Sequence, residues 1–314
     1  MPRVIGLLFS GQGAQQVGMG KDLSQSYATA ANLFSEADRR LQRSISQVAF
    51  EGPIEELTKT ANCQVALYVH GLALLEVLRE ELGAFTFQAA AGLSLGEFTA
   101  HAAAGTFDFG TGLELVDARS RLMEEACLST TGTMAAFVGG DEAAVREIAR
   151  ETDVDVANLN SPGQIVLSGA TDNIQASINL AKEKGIRRAV PLNVAGAFHS
   201  RLMASARDQL IPILETAAIR TPGPIVVANV TAAPVKEPTE IRRTLADQVT
   251  GSVRWLETII YLLDHAGCDL LIELGPGQVL AGLVTRIRKG TEVISIESLA
   301  TLRNALPLIR AAAN

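Results

Sequence analysis

Along the chain, short and uniformly apolar runs alternate with longer stretches in which apolar residues recur every three or four positions. The first kind reads as strands buried on both faces, the second as amphipathic helices packed over them. Val4–Phe9 is the first predicted strand, and it stops at the glycine-containing turn Ser10-Gly11-Gln12-Gly13. Short helices with polar faces are expected at Phe34–Leu41 and Ile54–Leu57. The longest apolar run, Val65–Leu75, is broken only by His70. It falls short of the ~20 residues that cross a bilayer, so a core helix over about 61–82 is expected in its place. A strand near Phe87–Ala91, a helix from Ser94 to about Ala104 and a helix over Gly112–Cys127 follow. Strands alternating with helices predict a parallel sheet covered on both faces.

Residues 133–194 carry a different rhythm. Strands are expected at Thr133–Val138, Val154–Asn158, Gln164–Ser168 and Arg188–Val194, with helices at Glu142–Glu151 and Asn173–Lys184. The turn Asn160-Ser161-Pro162-Gly163 separates the second and third strands. This βαββαβ order is the ferredoxin-like pattern. The expected architecture is a large α/β domain, 1–125 and 198–314, with a ferredoxin-like unit inserted at 126–197. The large domain resumes with a helix near Leu202–Leu214 and a strand at Ile225–Val230. Helices near Glu240–Val249 and Arg254–Ala266 precede a strand at Leu270–Leu274, and Gly275-Pro276-Gly277 opens a last helical stretch.

Composition narrows the function. A 314-residue chain exceeds the usual single domain of roughly 100–200 residues, which agrees with an insertion. Its net charge of −7 argues against non-specific nucleic-acid binding. The three cysteines are odd in number and far apart, so neither a disulfide framework nor a paired metal site is expected, and a reducing, cytoplasmic setting is. One charge and a six-residue apolar stretch at the N-terminus make a poor signal peptide. No HExxH spacing suggests a zinc hydrolase.

Gly92-Leu93-Ser94-Leu95-Gly96 matches G-x-S-x-G between a predicted strand and a predicted helix. A nucleophile on such a sharp turn needs glycines beside it, and the helix N-terminus beyond it favours a developing oxyanion. The same residues also suit a tight turn with a serine cap. Of the four histidines, His70 lies in an apolar helix, His101 is seven residues past Ser94 on its helix and His265 is at a helix end. His199 follows a predicted strand and precedes a helix, a position that serves a general base or a helix cap. No acid announces itself as a third member, so a Ser–His dyad held by a backbone carbonyl fits as well as a triad.

The helix over Gly112–Cys127 has Leu115, Val116, Leu122, Met123 and Ala126 on one face and Glu114, Asp117, Arg121, Glu124 and Glu125 on the other. Arg119 lies in the apolar face. A guanidinium there needs an anionic partner, in an internal salt bridge or a substrate carboxylate held bidentately, unless the side chain snorkels out to solvent. With Ser94 and His199, it points to transfer of an acyl group that itself carries a carboxylate.

At these residues the chain resembles the malonyl-CoA:acyl-carrier-protein transacylases of fatty-acid synthesis, over essentially its full length. The resemblance is carried by Gly11-Gln12-Gly13-Ala14-Gln15, Gly92–Glu97, Arg119, Asn160–Gln164, Gly196-Ala197-Phe198-His199-Ser200 and Glu273–Gly277. It implies a hydrolase-like α/β domain with a ferredoxin-like insertion. It implies Ser94 as the acylated nucleophile, His199 as the base, and the backbone N–H groups of Gln12 and Leu95 as the oxyanion hole. Arg119 would bind the malonyl carboxylate, with Gln64, Asn160 and Phe198 also at the substrate, and the Gln248 carbonyl would hold the histidine. A phenylalanine before the histidine resembles the malonyl-selective form. Leu93 stands where many members have histidine, and Ser10 where proline is common. The implied partners are malonyl-CoA and an acyl carrier protein, with no metal, cofactor, nucleic acid or membrane, for a cytoplasmic monomer. A carrier protein is acidic, so docking is expected at Lys182, Lys184, Arg187 and Arg188, or at Arg286, Arg288 and Lys289. A polyketide malonyltransferase and a serine thioesterase are the alternatives.

Overall fold

In the computed structural model, which describes residues 2–83 and 85–313, the apolar runs become the strands of two sheets. The strands are β1 (Ile5–Phe9), β2 (Ala89–Gly92), β3 (Gly132–Val138), β4 (Asp155–Ser161), β5 (Gln164–Ala170), β6 (Arg188–Pro191), β7 (Ile225–Ala228), β8 (Ala233–Val235), β9 (Leu270–Leu274) and β10 (Glu292–Ile296). The larger sheet runs β10-β9-β1-β2-β7-β8. Its first five strands are parallel, and β8 turns back against β7 as an antiparallel edge.

Every residue of β1, β2 and β9 is buried, because helices cover both faces. Alternation along β1 divides its side chains between two cores. Leu7 and Phe9 join the core built with the helix Thr60–Leu82, and Leu8 joins the one built with Trp255. Thr60–Leu82 is long and apolar enough to cross a membrane by length and composition alone, yet almost all of it is packed inside the fold.

The smaller sheet is antiparallel throughout, in the order β4-β5-β3-β6. The helices Glu142–Glu151 and Thr171–Glu183 share a core with it. This is the βαββαβ unit, spliced between the helix Phe109–Ser129 and the helix Ala204–Thr216. The fold is thus a hydrolase-like α/β body carrying a ferredoxin-like unit.

Several boundaries differ from expectation. Asn160 and Ser161, expected in a turn, are the last residues of β4, since Ser161 pairs with Gln164 and leaves only Pro162-Gly163 to reverse the chain. The strand expected over Arg188–Val194 pairs only as far as Pro191. The last helical stretch is really two helices, Val279–Ile287 and Leu299–Ala313, around β10. β10 is a five-residue edge strand opening on a glutamate, too short and mixed to stand out. Asp117, expected on the solvent face of its helix, is buried because Arg43, from a distant loop, reaches over to pair with it at 2.5 Å, while Arg121 pairs with its other oxygen at 2.8 Å.

Replacing Leu74, fully buried in the central helix, by alanine is expected to cost about 2–5 kcal/mol, from lost transfer energy plus a cavity. Leu128→Ala, at a side chain 85% exposed, should stay within about 0.5 kcal/mol. Denaturant titration of both variants checks the contrast.

Candidate active site

Parallel sheets present their ligand-binding edge at the carboxyl ends of the strands. Here β1, β2 and β7 lie side by side and end in Ser10-Gly11-Gln12, Leu93-Ser94 and Asn229 respectively. The turn after β2 is tight: a side chain on Gly92 would collide with the backbone of Gly96, and one on Gly96 with the carbonyl of Phe9. The crowding leaves Ser94 at φ +54°, a region that non-glycine residues avoid without surrounding restraint.

Those restraints are visible. The Ser94 N–H donates to Asn229 Oδ1 at 2.8 Å, and the Ser94 carbonyl accepts from Gln248 Nε2 at 2.8 Å. Asn229 Nδ2 also donates to the Gly92 carbonyl at 2.9 Å. Ser94 precedes the helix Leu95–Ala103 without capping it through its side chain. Its Oγ instead lies 2.8 Å from His199 Nε2.

His199 arrives from the loop after the small sheet and also takes a positive φ, +56°. Its Nδ1 faces the Gln248 carbonyl at 2.8 Å, so Nδ1 carries the proton and Nε2 presents a lone pair to Ser94. Ser200, not His199, caps the following turn. Burial, and then the charge of Arg119, push the imidazole down to about 4, so it stays neutral at ordinary pH.

Arg119 is fully buried. Its Nη1 donates to Gln64 Oε1 at 2.5 Å, and its Nη2 to Ser94 Oγ at 3.0 Å and Gln248 Oε1 at 2.9 Å. The guanidinium sits over the Phe98 ring at 5.4 Å from the centroid. Every hydrogen-bond acceptor it has is neutral. Burial lowers it to about 10, and Glu97 is the negative charge that opposes the shift.

Gln64 Nε2 turns to Gln12 Oε1 at 3.3 Å, which ties the turn after β1 to the cluster. Leu95 is the first residue of its helix, so its N–H has no acceptor within that helix. Phe198 is buried beside His199. Asn160 stands apart: it shares no hydrogen bond with Ser94, His199 or Arg119 among the described residues, and its Oδ1 is buried without a partner. The other histidines lie elsewhere. His70 is buried, His101 Nδ1 pairs with Thr106 Oγ1 at 2.9 Å, and His265 is exposed at a helix end.

Asn229 and Glu97 complete the cluster; Asn229 carries no sequence signal, and Glu97 ends the Gly92–Glu97 motif without its spacing revealing a role. Asn229 follows an ordinary buried strand, and Glu97 reads as a helix first-turn acid.

The acyl transferase domain family matches residues 7–306. A malonyl CoA-acyl carrier protein transacylase of Bacillus subtilis is 38% identical, over 98% of this chain and 97% of its own. The crystal structure of an acyl-carrier-protein-S-malonyltransferase from Bartonella henselae superposes with a TM-score of 0.92 at 37% identity, covering 98% of this chain and 99% of that one. A malonyl-transacylase solved in complex with its type II polyketide synthase acyl-carrier protein gives 0.92 at 35% identity, covering 97% and 99%.

An NMR titration of the imidazole is expected to place the His199 midpoint near 4. Removing the neighbouring charge with Arg119→Gln should move that midpoint up toward the ordinary histidine value, and a midpoint unchanged by this substitution would show that burial alone sets it.

Proposed function

Because the chain belongs to the acyl transferase domain family, we propose that it moves a malonyl group from malonyl-CoA to the phosphopantetheine thiol of an acyl carrier protein, by way of a malonyl ester on Ser94, and so supplies fatty-acid elongation. The observation that carries this reading is a buried arginine whose Nη2 lies 3.0 Å from the nucleophile's Oγ. An ester formed on that oxygen holds its carboxylate, one methylene beyond the carbonyl, within reach of the guanidinium fork. The neutral oxygens now facing Arg119 can give way to a charged acceptor, which binds a guanidinium more strongly. A simple hydrolase of neutral esters has no use for that charge.

The chemistry follows from the hydrogen bonds. Ser94 passes its proton to His199 Nε2 and attacks the thioester carbon. The N–H groups of Gln12 and Leu95 receive the oxyanion. The coenzyme A sulfur leaves with the proton that His199 carried. The carrier thiol then gives its proton to His199, attacks the ester, and Ser94 recovers the proton. Gln248 holds the imidazole with a neutral carbonyl, so no carboxylate raises its basicity. The malonyl carboxylate supplies the compensation: seated on Arg119, it cancels the charge that depresses His199. The resemblance adds Gln64, Phe198 and Asn160 as substrate contacts. The same reading divides the chain into a catalytic body, 1–125 and 198–314, and a smaller unit, 126–197, whose β4 is bonded to it by the Val253 backbone and by the bidentate contact of Arg201 with Asp155. We assign the protein to the cytoplasm, acting as a monomer. Three free, buried cysteines support the compartment.

Each of the two basic clusters has one member already engaged. Lys184 is held by Glu147 and Glu151, and Arg288 by both oxygens of Asp264. Lys182, Arg187, Arg188, Arg286 and Lys289 are exposed, and of these Arg188 and Arg286 are linked across the small sheet. Arg286 donates to Gln164, which pairs with Val138, which in turn pairs with Arg188. Two strand spacings of about 4.8 Å separate Gln164 from Arg188. One basic rim, rather than two alternative clusters, therefore offers itself to an acidic carrier protein.

Labelled malonyl-CoA should acylate Ser94, detected by mass spectrometry, and the label should pass to added carrier protein. Acylation at another residue, or release of malonate to water in place of transfer, would overturn the reading. Arg119→Ala should cut malonyl transfer on the order of 100-fold, as expected on removing a buried charge partner, and reduce acetyl transfer far less. Charge reversal at Arg188 and Arg286 together should raise the KM for the carrier protein about tenfold and leave that for malonyl-CoA unchanged.

A further inference from the structure

Glu97 is fully buried one turn into the helix that follows the nucleophile, and it bonds neither Ser94 Oγ nor His199. Its Oε2 does two things. It accepts the backbone N–H of Asn229 at 3.0 Å and the side-chain Nε2 of Gln248 at 2.6 Å. Those two residues are the ones that brace the strained serine: Asn229 takes its N–H and Gln248 its carbonyl. Gln248 also holds His199 through its own backbone carbonyl and meets Arg119 with Oε1.

A glutamine amide can sit in either of two orientations, and its two ends demand opposite partners. A carboxylate on one side forces Nε2 toward it, which leaves Oε1 for the guanidinium on the other side. The Ser94 carbonyl, which accepts from the same Nε2 at 2.8 Å, favours that orientation too, and Glu97 adds the charged and shorter of the two contacts. We propose that Glu97 is a positioning residue for acyl transfer: through Asn229 and Gln248 its carboxylate oxygen locks the Ser94 turn, the His199 loop and the Arg119 fork into one mutual registry.

The burial of a carboxyl group is costly unless its bonds require it. Among the described residues Oε1 has no hydrogen-bond partner, so the two bonds of Oε2 and the nearby Arg119 charge are what offset the cost. Desolvation correspondingly pushes the group up to about 7. Loss of the charge-assisted bonds would let a nucleophile held at φ +54° relax.

The inference rests on Ser94 being the nucleophile, and the test separates the two. The full-length protein, Glu97→Gln and Glu97→Ala are treated with a neutral fluorophosphonate, which reports the reactivity of Ser94 without using Arg119. Steady-state malonyl transfer is measured in parallel, with rates referred to the folded fraction. Glu97→Gln, which keeps the shape and one acceptor, should lower both kcat and the labelling rate about tenfold. Glu97→Ala should lower both about 100-fold, with the KM for malonyl-CoA within about threefold. If the alanine variant does not fold, the glutamine variant decides. Labelling and kcat within twofold of wild type would overturn the proposal, as would a raised KM with unchanged labelling. Wild-type protein that resists labelling at Ser94 would instead overturn the nucleophile itself.

Discussion

Burying Arg119 in the apolar face of its helix is the most demanding feature of this molecule. A guanidinium has five donors and no acceptor, and a dry interior leaves none of them cheap to strand. The fold answers with oxygens from three separate elements. Gln64 comes from the central helix, Gln248 from the end of the helix Pro238–Asp247, and Ser94 from the turn after β2. Those elements must converge on one point, so the charge organises the pocket before any substrate enters it. Those acceptors are neutral, and Glu97 is the negative charge that favours the buried guanidinium. Burial, and after it the charge of Arg119, keep the neighbouring histidine neutral.

Strain is the second constraint. Both Ser94 and His199 sit at positive φ, and neither is glycine. Each conformation costs on the order of 1–3 kcal/mol and survives only when its surroundings over-determine it. At Ser94 the surroundings are the packing of Gly92 against Gly96 and a hydrogen bond on each side of the residue. At His199 the ring is pinned by the Gln248 carbonyl. The two side chains meet at 2.8 Å because both backbones are held where they would not rest alone.

Much of this was legible in the chain. Apolar runs marked the strands of the large sheet, since strands buried on both faces cannot afford polar residues. The βαββαβ rhythm marked the smaller unit. Ser94 stood out because its glycines sit two residues to either side, His199 because it follows a strand, and Arg119 because it interrupts an apolar face. Local pattern failed where local energetics do not decide. β10 and the end of β6 are short edges whose pairing depends on a neighbouring strand. Asp117 sits on the polar side of its own helix and is covered by Arg43, from a loop 74 positions away, together with Arg121.

Composition and periodicity by themselves point to the class of fold and single out Ser94, His199 and Arg119 as candidates, because those follow from short-range spacing and from what each side chain can do, while their roles are what the family resemblance implies. They did not determine how those groups are held. Asn229 lies 135 residues from the serine whose N–H it takes, and Gln248 lies 154 residues from the serine whose carbonyl it meets. Asn160, in contrast, lies in one of the family-like motifs and forms no hydrogen bond with Ser94, His199 or Arg119. Only the tertiary structure settled these relations, since a hydrogen bond depends on positions in space to within a few tenths of an ångström, and sequence spacing carries no such information between elements that meet only when the sheet closes.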